Sequence, residues 1–464
     1  MIKVYLDWNV MAQIKDGQHQ ELKEILSDDK RFFKPYSTSH ISDILSSFKE
    51  GDEQQDKRIE RDLKFISELT NNHFLSNNGK EIVLNFESPE TYYNQRVDEL
   101  GLYNNFNFDS IFQGLNNNED LNGLLKVYSD ILKQTPLDDA LKNMFDNPDS
   151  AKHMDDLLPG LKDNLTMGGF MDTFGKLLNS LNTGDKYKDL RHMVQNGLNI
   201  NRDKIYNSEN PYEIIEKSYK KLGIDMGVVN EKNAGGDKYG PKWFNEITNS
   251  YIQLDIYGYQ EDNININKGR KETFRNTTED AFHAAFATTC DFYVVNDAKG
   301  YRKAKKIYEK LNIKTYALKP VEFVEYYDKY LNFEENTWNL SVIPEIINKF
   351  NYVENKHENG VIRIYYVPYY VFNFFNKVIV VIDDNEPLQI ILSHVNPTNG
   401  GKFIFEIAAL VNMICDLLGS DIDNLGEIKE NEFETQEWIG RRWNVGDKIY
   451  RLASINDYIL LYLG

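Results

Sequence analysis

The first hydrophobic run, IKVYL at residues 2–6, is the short apolar kind that a parallel sheet buries on both faces, and NVMAQIK after it can start a helix. YSTSHISDILSSFKE follows, where Ser37, Thr38 or Ser39 can cap a helix whose apolar stripe is Ile41, Ile44, Leu45 and Phe48. His40 and Asp43, three apart, share a neighbouring face of that helix. A charged helical pattern, KRIERDLKFISELTNN, leads to EIVLNF, a second short strand.

The period then changes. From about residue 88 to about 268, helical segments such as SPETYYNQRVDEL, DLNGLLKVYSDILK, DDALKNMF and MDTFGKLLNSL are separated by Asn, Gly and Asp clusters. After NININKGRKETFRNT the strand and helix signals alternate: TTEDAFHAAFATT as a capped helix, CDFYVVND as a strand ending in acid, YRKAKKIYEKLN as a basic amphipathic helix, IKTYALKP as a strand and PVEFVEYYDKYL as a helix. Such alternation predicts a parallel sheet with helices on both faces. Beyond residue 332, the aromatic and β-branched runs VIRIYYVPYYVFNFF, KVIVVID and PLQIILSHV predict antiparallel strands, and GGKFIFEIAALVNMICDLLG a helix. The patterning thus divides the chain into an α/β first half (1–90), a helical insertion (91–268), an α/β second half (269–331) and a C-terminal α+β domain without an evident role (332–464).

Composition narrows the classes. At 464 residues, with 41% hydrophobic content, 29 Tyr and 26 Phe, the chain has material for more than one core and is not disordered. Two cysteines, Cys290 and Cys415, argue against a disulfide scaffold and for a reducing compartment. No apolar run approaches the length of a membrane span, and no basic and apolar leader opens the sequence, so the expectation is a cytoplasmic protein with no membrane partner. The net charge of -19 opposes sequence-independent adhesion to nucleic acid, so any such site must be local.

Ligands of open parallel sheets sit beyond the carboxyl ends of the strands, where Asp7 and Asp297 both fall. Asp280 opens the helix before the Asp297 strand, close enough in sequence to reach the same rim, and Asp43 can supply a fourth acid from its own helix. Carboxylates about 5 Å apart at an effective dielectric of ~20 repel by on the order of 3 kcal/mol per pair, so the cluster calls for a cation or protons. Oxygen donors with Asn9 beside them suit Mg2+ or Mn2+ better than zinc. Such a site activates water and stabilises charge on a phosphodiester, which makes nucleic-acid hydrolysis the natural reaction class.

Together, Asp7 and Asn9 after the first strand, Asp43 in its capped helix, Asp280 and Asp297 in TEDAFHAAFATTCDFYVVND, and the KTYALKPVEF that follows resemble the PIN-domain nucleases. The resemblance implies a three-layer α/β sandwich with a central parallel sheet, interrupted here by the helical insertion. It also implies a metal-dependent endoribonuclease in which Asp7, Asp43, Asp280 and Asp297 hold Mg2+ or Mn2+ or orient its waters, with Asn9 in support; His283, one turn after Asp280, is a separate supporting candidate. RNA is then the substrate, DNA a second choice, and a regulatory protein a candidate partner, as in toxin or defence nucleases; the alternative is a weak or inactive RNA-binding or assembly module. Three positions depart from the family pattern: Asp43 where Glu is frequent, Trp8 where a small residue is usual, and Val295 where Thr or Ser is common.

Basic residues flank the acids. Lys268, Arg270, Lys271 and Arg275 precede Asp280, while Lys299, Arg302, Lys303, Lys305 and Lys306 follow Asp297. They form either a phosphate track, with Lys299, Arg302, Lys271 and Arg275 as substrate contacts, or an ordinary solvated face. His283 either orients a ligand or sits in the interior with one hydrogen bond, Trp8 is expected to wedge against core or insertion, and the C-terminal tyrosines read as core.

Overall fold

The computed structural model describes residues 1–48, 51–103, 160–166, 169, 173, 186–221, 240–261, 274–332, 341–357, 360–383, 387–397, 401–433 and 438–464. These are distributed over two compact units, one comprising residues 1–89, 235–247 and 283–464 and the other 90–234 and 248–282. The helical segments expected over 120–133 and 138–145 lie outside the described residues, as does nearly all of that over 171–181.

The first unit is mixed α/β. Its opening strand β1 (Ile2–Leu6) is buried at every position, which is why its sequence shows no alternation. β1 lies between β2 (Phe32–Phe33) and β6 (Phe292–Val294), and β7 (Tyr316–Leu318) completes a parallel sheet of order β2-β1-β6-β7. The register sets Val4, Tyr5 and Leu6 beside Phe292, Tyr293 and Val294. Helices Trp8–Lys15, Ala298–Lys310 and Pro320–Tyr326 each follow directly from a strand of this sheet. A smaller sheet joins β3 (Tyr36–Ser37), β4 (His73–Asn77) and β5 (Ile82–Phe86), with helix Thr38–Leu45 leaving β3 at once.

The rest of the first unit is a seven-stranded antiparallel sheet: β8 (Val353–His357), β9 (Gly360–Val371), β10 (Phe375–Asp383), β11 (Gln389–Ser393), β12 (Arg441–Val445), β13 (Lys448–Ile455) and β14 (Tyr458–Leu463). Their order is β12-β13-β14-β11-β10-β9-β8. Helix Gly401–Leu418 lays Ile407, Leu410, Val411 and Ile414 into a core with Tyr365, Val378, Leu392, Trp443 and Leu461. Between β13 and β14, Asn456 and Asp457 both adopt positive φ, the backbone of a tight hairpin turn and one that Asn and Asp tolerate. The C-terminal tyrosines divide: Tyr365 and Tyr370 are in the core, whereas Tyr366 is about half exposed.

Residues 332–464, read from the sequence as their own domain, fall within the first unit, joined to the parallel sheet by aromatic contacts such as Phe292 with Tyr370 and by buried ion pairs. At the amino end of the parallel sheet, Lys3 Nζ pairs with Glu406 at 2.6 Å, and His394 Nε2 donates to Asp291 at 2.7 Å, all four side chains being buried. Lys3 and Asp291 are also stitched through the backbone, since the Lys3 amide donates to the Asp291 carboxylate (2.8 Å) and the Asp291 amide to the Lys3 carbonyl (2.9 Å). Burial alone would push the Asp291 carboxyl up, but Lys3 and His394 outweigh it and hold it at about 2.

The second unit buries polar as well as apolar side chains. Tyr187 and Arg191 of helix Lys186–Gly197 both reach the fully buried Asp255, Tyr219 and Tyr257 share a hydrogen bond, and Ile205, Ile215, Tyr251 and Leu254 are buried.

Candidate functional site

The carboxyl edge of β1 and β6 gathers the first-unit acids. β1 ends at Leu6, and the Asp7 amide donates to the Val294 carbonyl of β6 at 2.9 Å, so Asp7 stands at the mouth of both strands. Asp7 caps helix Trp8–Lys15, its Oδ2 accepting the Asn9 amide, and Asp297 caps helix Ala298–Lys310, its Oδ2 accepting the Gly300 amide at 2.5 Å. Two strand-to-helix junctions in a parallel sheet thus present two capping carboxylates at one edge, a placement both helix dipoles favour. Asn9 is exposed beside Asp7 and Asp297 is exposed, whereas Asp7 is only 5% exposed.

Burial raises the Asp7 carboxyl above its usual range; His283 opposes this, and the charges of Asp43 and Asp297 add to it. His283, Asp43 and Asp297 thus all act on Asp7. Asp43, on helix Thr38–Leu45, turns Oδ2 to His283 Nε2 at 3.0 Å, with its side chain 29% exposed against 1% for the histidine. The histidine is thus the buried member of the pair and the acid the outward one.

Behind His283 lies a group of polar side chains that sequence reasoning missed. The Tyr5 hydroxyl, inside β1, is 2.8 Å from His283 Nδ1 and 2.6 Å from Ser37 Oγ. His40 accepts the Ser37 amide at Nδ1 (3.0 Å), which leaves Nε2–H to donate to the Leu6 carbonyl (2.8 Å). Burial, reinforced by the neighbouring His283, drives the His40 pKa well below its ordinary value, so this ring is neutral. The available signal was Tyr5 itself, since a phenol in an otherwise aliphatic buried strand must find a partner.

The basic residues divide. Arg302 and Lys305 are exposed and Lys299 is half-buried, but Lys303 is wholly buried and cannot form part of an outer track. Lys305 donates to the Tyr301 hydroxyl at 2.8 Å. Lys271 lies outside the described residues, as do Lys268 and Arg270 and the side chain of Arg275. Asp280 is half-buried on helix Phe274–Ala287 and belongs to the second unit, whereas His283, three residues on, belongs to the first. Trp8 is half-buried, with the Lys15 ammonium 5.5 Å from its ring, and Val295 is buried with its amide bonded to the Leu318 carbonyl. A cavity of about 320 Å3 lies at the other end of the sheet, lined by Lys3, Trp243, Glu246, Thr288, Leu311 and Glu406 among others, and none of the acids of the carboxyl edge borders it.

No family model, curated protein or solved structure matches this chain. Among the described residues, no group of three or more His, Cys, Asp or Glu side chains is arranged to hold a metal ion. In kind, the donors fit a hard divalent cation: Asp7, Asp43 and Asp297 offer oxygen alone, and the charges of the other two raise the buried Asp7.

Proposed function

We propose that the carboxyl edge of the parallel sheet belongs to a PIN-like nuclease that hydrolyses phosphodiester bonds with Mg2+ or Mn2+, an endoribonuclease in first place with DNA as the second substrate. One observation carries this reading. Asp7, a buried carboxylate at the end of β1, carries the influence of two further carboxylates, Asp297 beyond the adjacent parallel strand β6 and Asp43 on helix Thr38–Leu45, an arrangement that disfavours folding unless a cation or phosphate chemistry repays it. When bound, the divalent ion supplies Lewis-acid stabilisation of phosphoryl charge and a more acidic water.

The chain's own residues do the rest. Asp7 and Asp297, fixed by their capping bonds, hold two oxygens at set positions, and Asp43 supplies a third from an independent helix held by His283. Asn9 offers an exposed amide at the edge, and Lys299 and Arg302, on the first turns beyond Asp297, receive the phosphates of the incoming strand. RNA and a regulatory protein are the partners this reading calls for. No helix among the described residues is long and apolar enough to cross a membrane.

A second reading, a nucleic-acid-binding or assembly module without hydrolysis, is favoured by the absence of a closed three-ligand group among the described residues. Incubation of labelled single-stranded RNA, structured RNA and DNA with Mg2+, Mn2+ or chelator separates the two. Cleavage that chelator and an Asp7→Asn/Asp297→Asn variant both abolish supports the nuclease; binding without cleavage supports the module.

A further inference from the structure

Strand pairing fixes which side chains of the antiparallel sheet face away from its core. Tyr365 and Val378 stand opposite each other in that core, beside Leu392 and Leu461, so the next pair along, Tyr366 opposite Lys377, lies on the other face. The same alternation puts Ile364, Ile379, Ile391, Tyr462, Arg451 and Arg442 in one row across that face, from β9 through β10, β11, β14 and β13 to β12. Tyr366 is 52% exposed, Arg451 and Arg442 are exposed, and Lys377, Tyr462 and the isoleucines are half-buried.

A ring and a cation recur together on this face. Tyr366 stands opposite Lys377, and Tyr462 opposite Arg451. Arg442 is matched by Asp423 at 3.0 and 2.6 Å, but among the described residues neither Lys377 nor Arg451 forms an ion pair. Burial lowers the Lys377 pKa with no carboxylate opposing it. In a chain of net charge -19, a face with unmatched cations selects an anionic partner. The two ring-and-cation pairs are three strand steps apart, about 14 Å across the sheet, with Ile379 and Ile391 as an apolar floor between them.

We propose that this face binds single-stranded nucleic acid, with Tyr366 and Tyr462 stacking on bases and Lys377 and Arg451 meeting phosphates. Rings and charges that recur together match a strand in which bases and phosphates do the same, whereas an acidic peptide would use the charges alone. Aromatic platforms beside backbone-tracking cations bind single strands with little sequence preference. The face shares no residue with the acid edge, and binding here does not require cleavage there.

The test follows fluorescein-labelled oligouridine, about a dozen nucleotides long, by fluorescence anisotropy in chelator, with circular dichroism melts of every variant. Tyr366→Ala is expected to weaken binding roughly 5- to 100-fold, and Tyr366→Phe, which keeps the ring, to bind as the wild type does. Lys377→Gln and Arg451→Gln should each flatten the salt dependence by a slope of about 0.7. Ultraviolet cross-links of the wild type, mapped by mass spectrometry, are expected on the peptides that carry Tyr366 or Tyr462. Absence of binding, wild-type affinity in a folded Tyr366→Ala, or cross-links that miss both tyrosines overturns the proposal. Displacement of the RNA by polyglutamate at matched charge also overturns it and assigns the face to an acidic protein. Cross-links confined to Lys299 and Arg302 remove the sheet face and leave the nuclease reading standing; RNA held on the sheet face but left uncut in Mg2+ and Mn2+ supports this proposal and removes the nuclease.

Discussion

The two ends of the parallel sheet carry opposite electrostatic designs. At the amino end each buried acid meets a base: Glu406 pairs with Lys3, and Asp291 with Lys3 and His394. At the carboxyl end, the buried Asp7 has two further acids acting on it, opposed by His283 and by the Asn9 amide that its carboxylate accepts. One end uses charge to hold layers together. The other sets like charges around a buried carboxyl, which is the feature on which the proposed cation site rests.

The largest expected effect is at the amino end. Glu406→Ala or Lys3→Met alone strands a buried charge and should cost about 3–5 kcal/mol in denaturant unfolding, whereas the double change to Met and Leu should cost far less. A single variant within about 1 kcal/mol of wild type would erase the contrast. The ends should next separate by pH. Asp291, held at about 2 in the fold against an ordinary value near 4, contributes stability above about pH 4 that is lost as pH falls toward 2, roughly 2–3 kcal/mol. Asp7 runs the other way: its raised pKa gives stability that is complete at low pH and declines as pH rises through its folded value. His40, depressed by burial, takes stability away as pH falls below its ordinary range near 6.5. Melting temperatures between pH 3 and 9 for wild type, Asp291→Asn and Asp7→Asn would resolve the three slopes.

Asp7→Asn should therefore stabilise the protein at pH 7, by about 1 kcal/mol, while abolishing cleavage. A destabilised Asp7→Asn would place Asp7 with the structural acids. The smallest effect belongs to the surface: Arg302→Gln should leave unfolding unchanged and reduce the salt dependence of RNA binding by about one phosphate contact, a slope change of roughly 0.7–0.9, measured by fluorescence anisotropy.

Much of the first unit is legible from local pattern. The short, mostly apolar IKVYL run, the capping serine before HISDIL and the acid ending FYVVND place β1, helix Thr38–Leu45 and β6, and with them the edge that Asp7 and Asp297 share. What escapes is long range. Lys3 reads as an interruption of an apolar strand until Glu406 closes on it from 403 residues away, and Tyr5 reads as another core aromatic until His283 and Ser37 arrive at its hydroxyl. β12 is hard to read for a different reason: Arg441, on its buried face and paired with Glu432, breaks the alternation that Arg442 and Trp443 would otherwise show. Asp280 illustrates the limit on sites, since its motif is clear in sequence while its helix is divided between two units.

The pairing of β1 with β6 also sets a schedule. On the ribosome β2 reaches β1 within a few dozen residues, but Phe292–Val294 emerges only after nearly three hundred, roughly 15–60 s later at ordinary synthesis rates. For that interval the fully buried opening strand has one neighbour and an open edge, and Lys3 has no counter-charge until Asp291 and then Glu406 follow. Completion of the acid edge is therefore a late event in the life of each molecule, because Asp297 cannot reach Asp7 before β6 does.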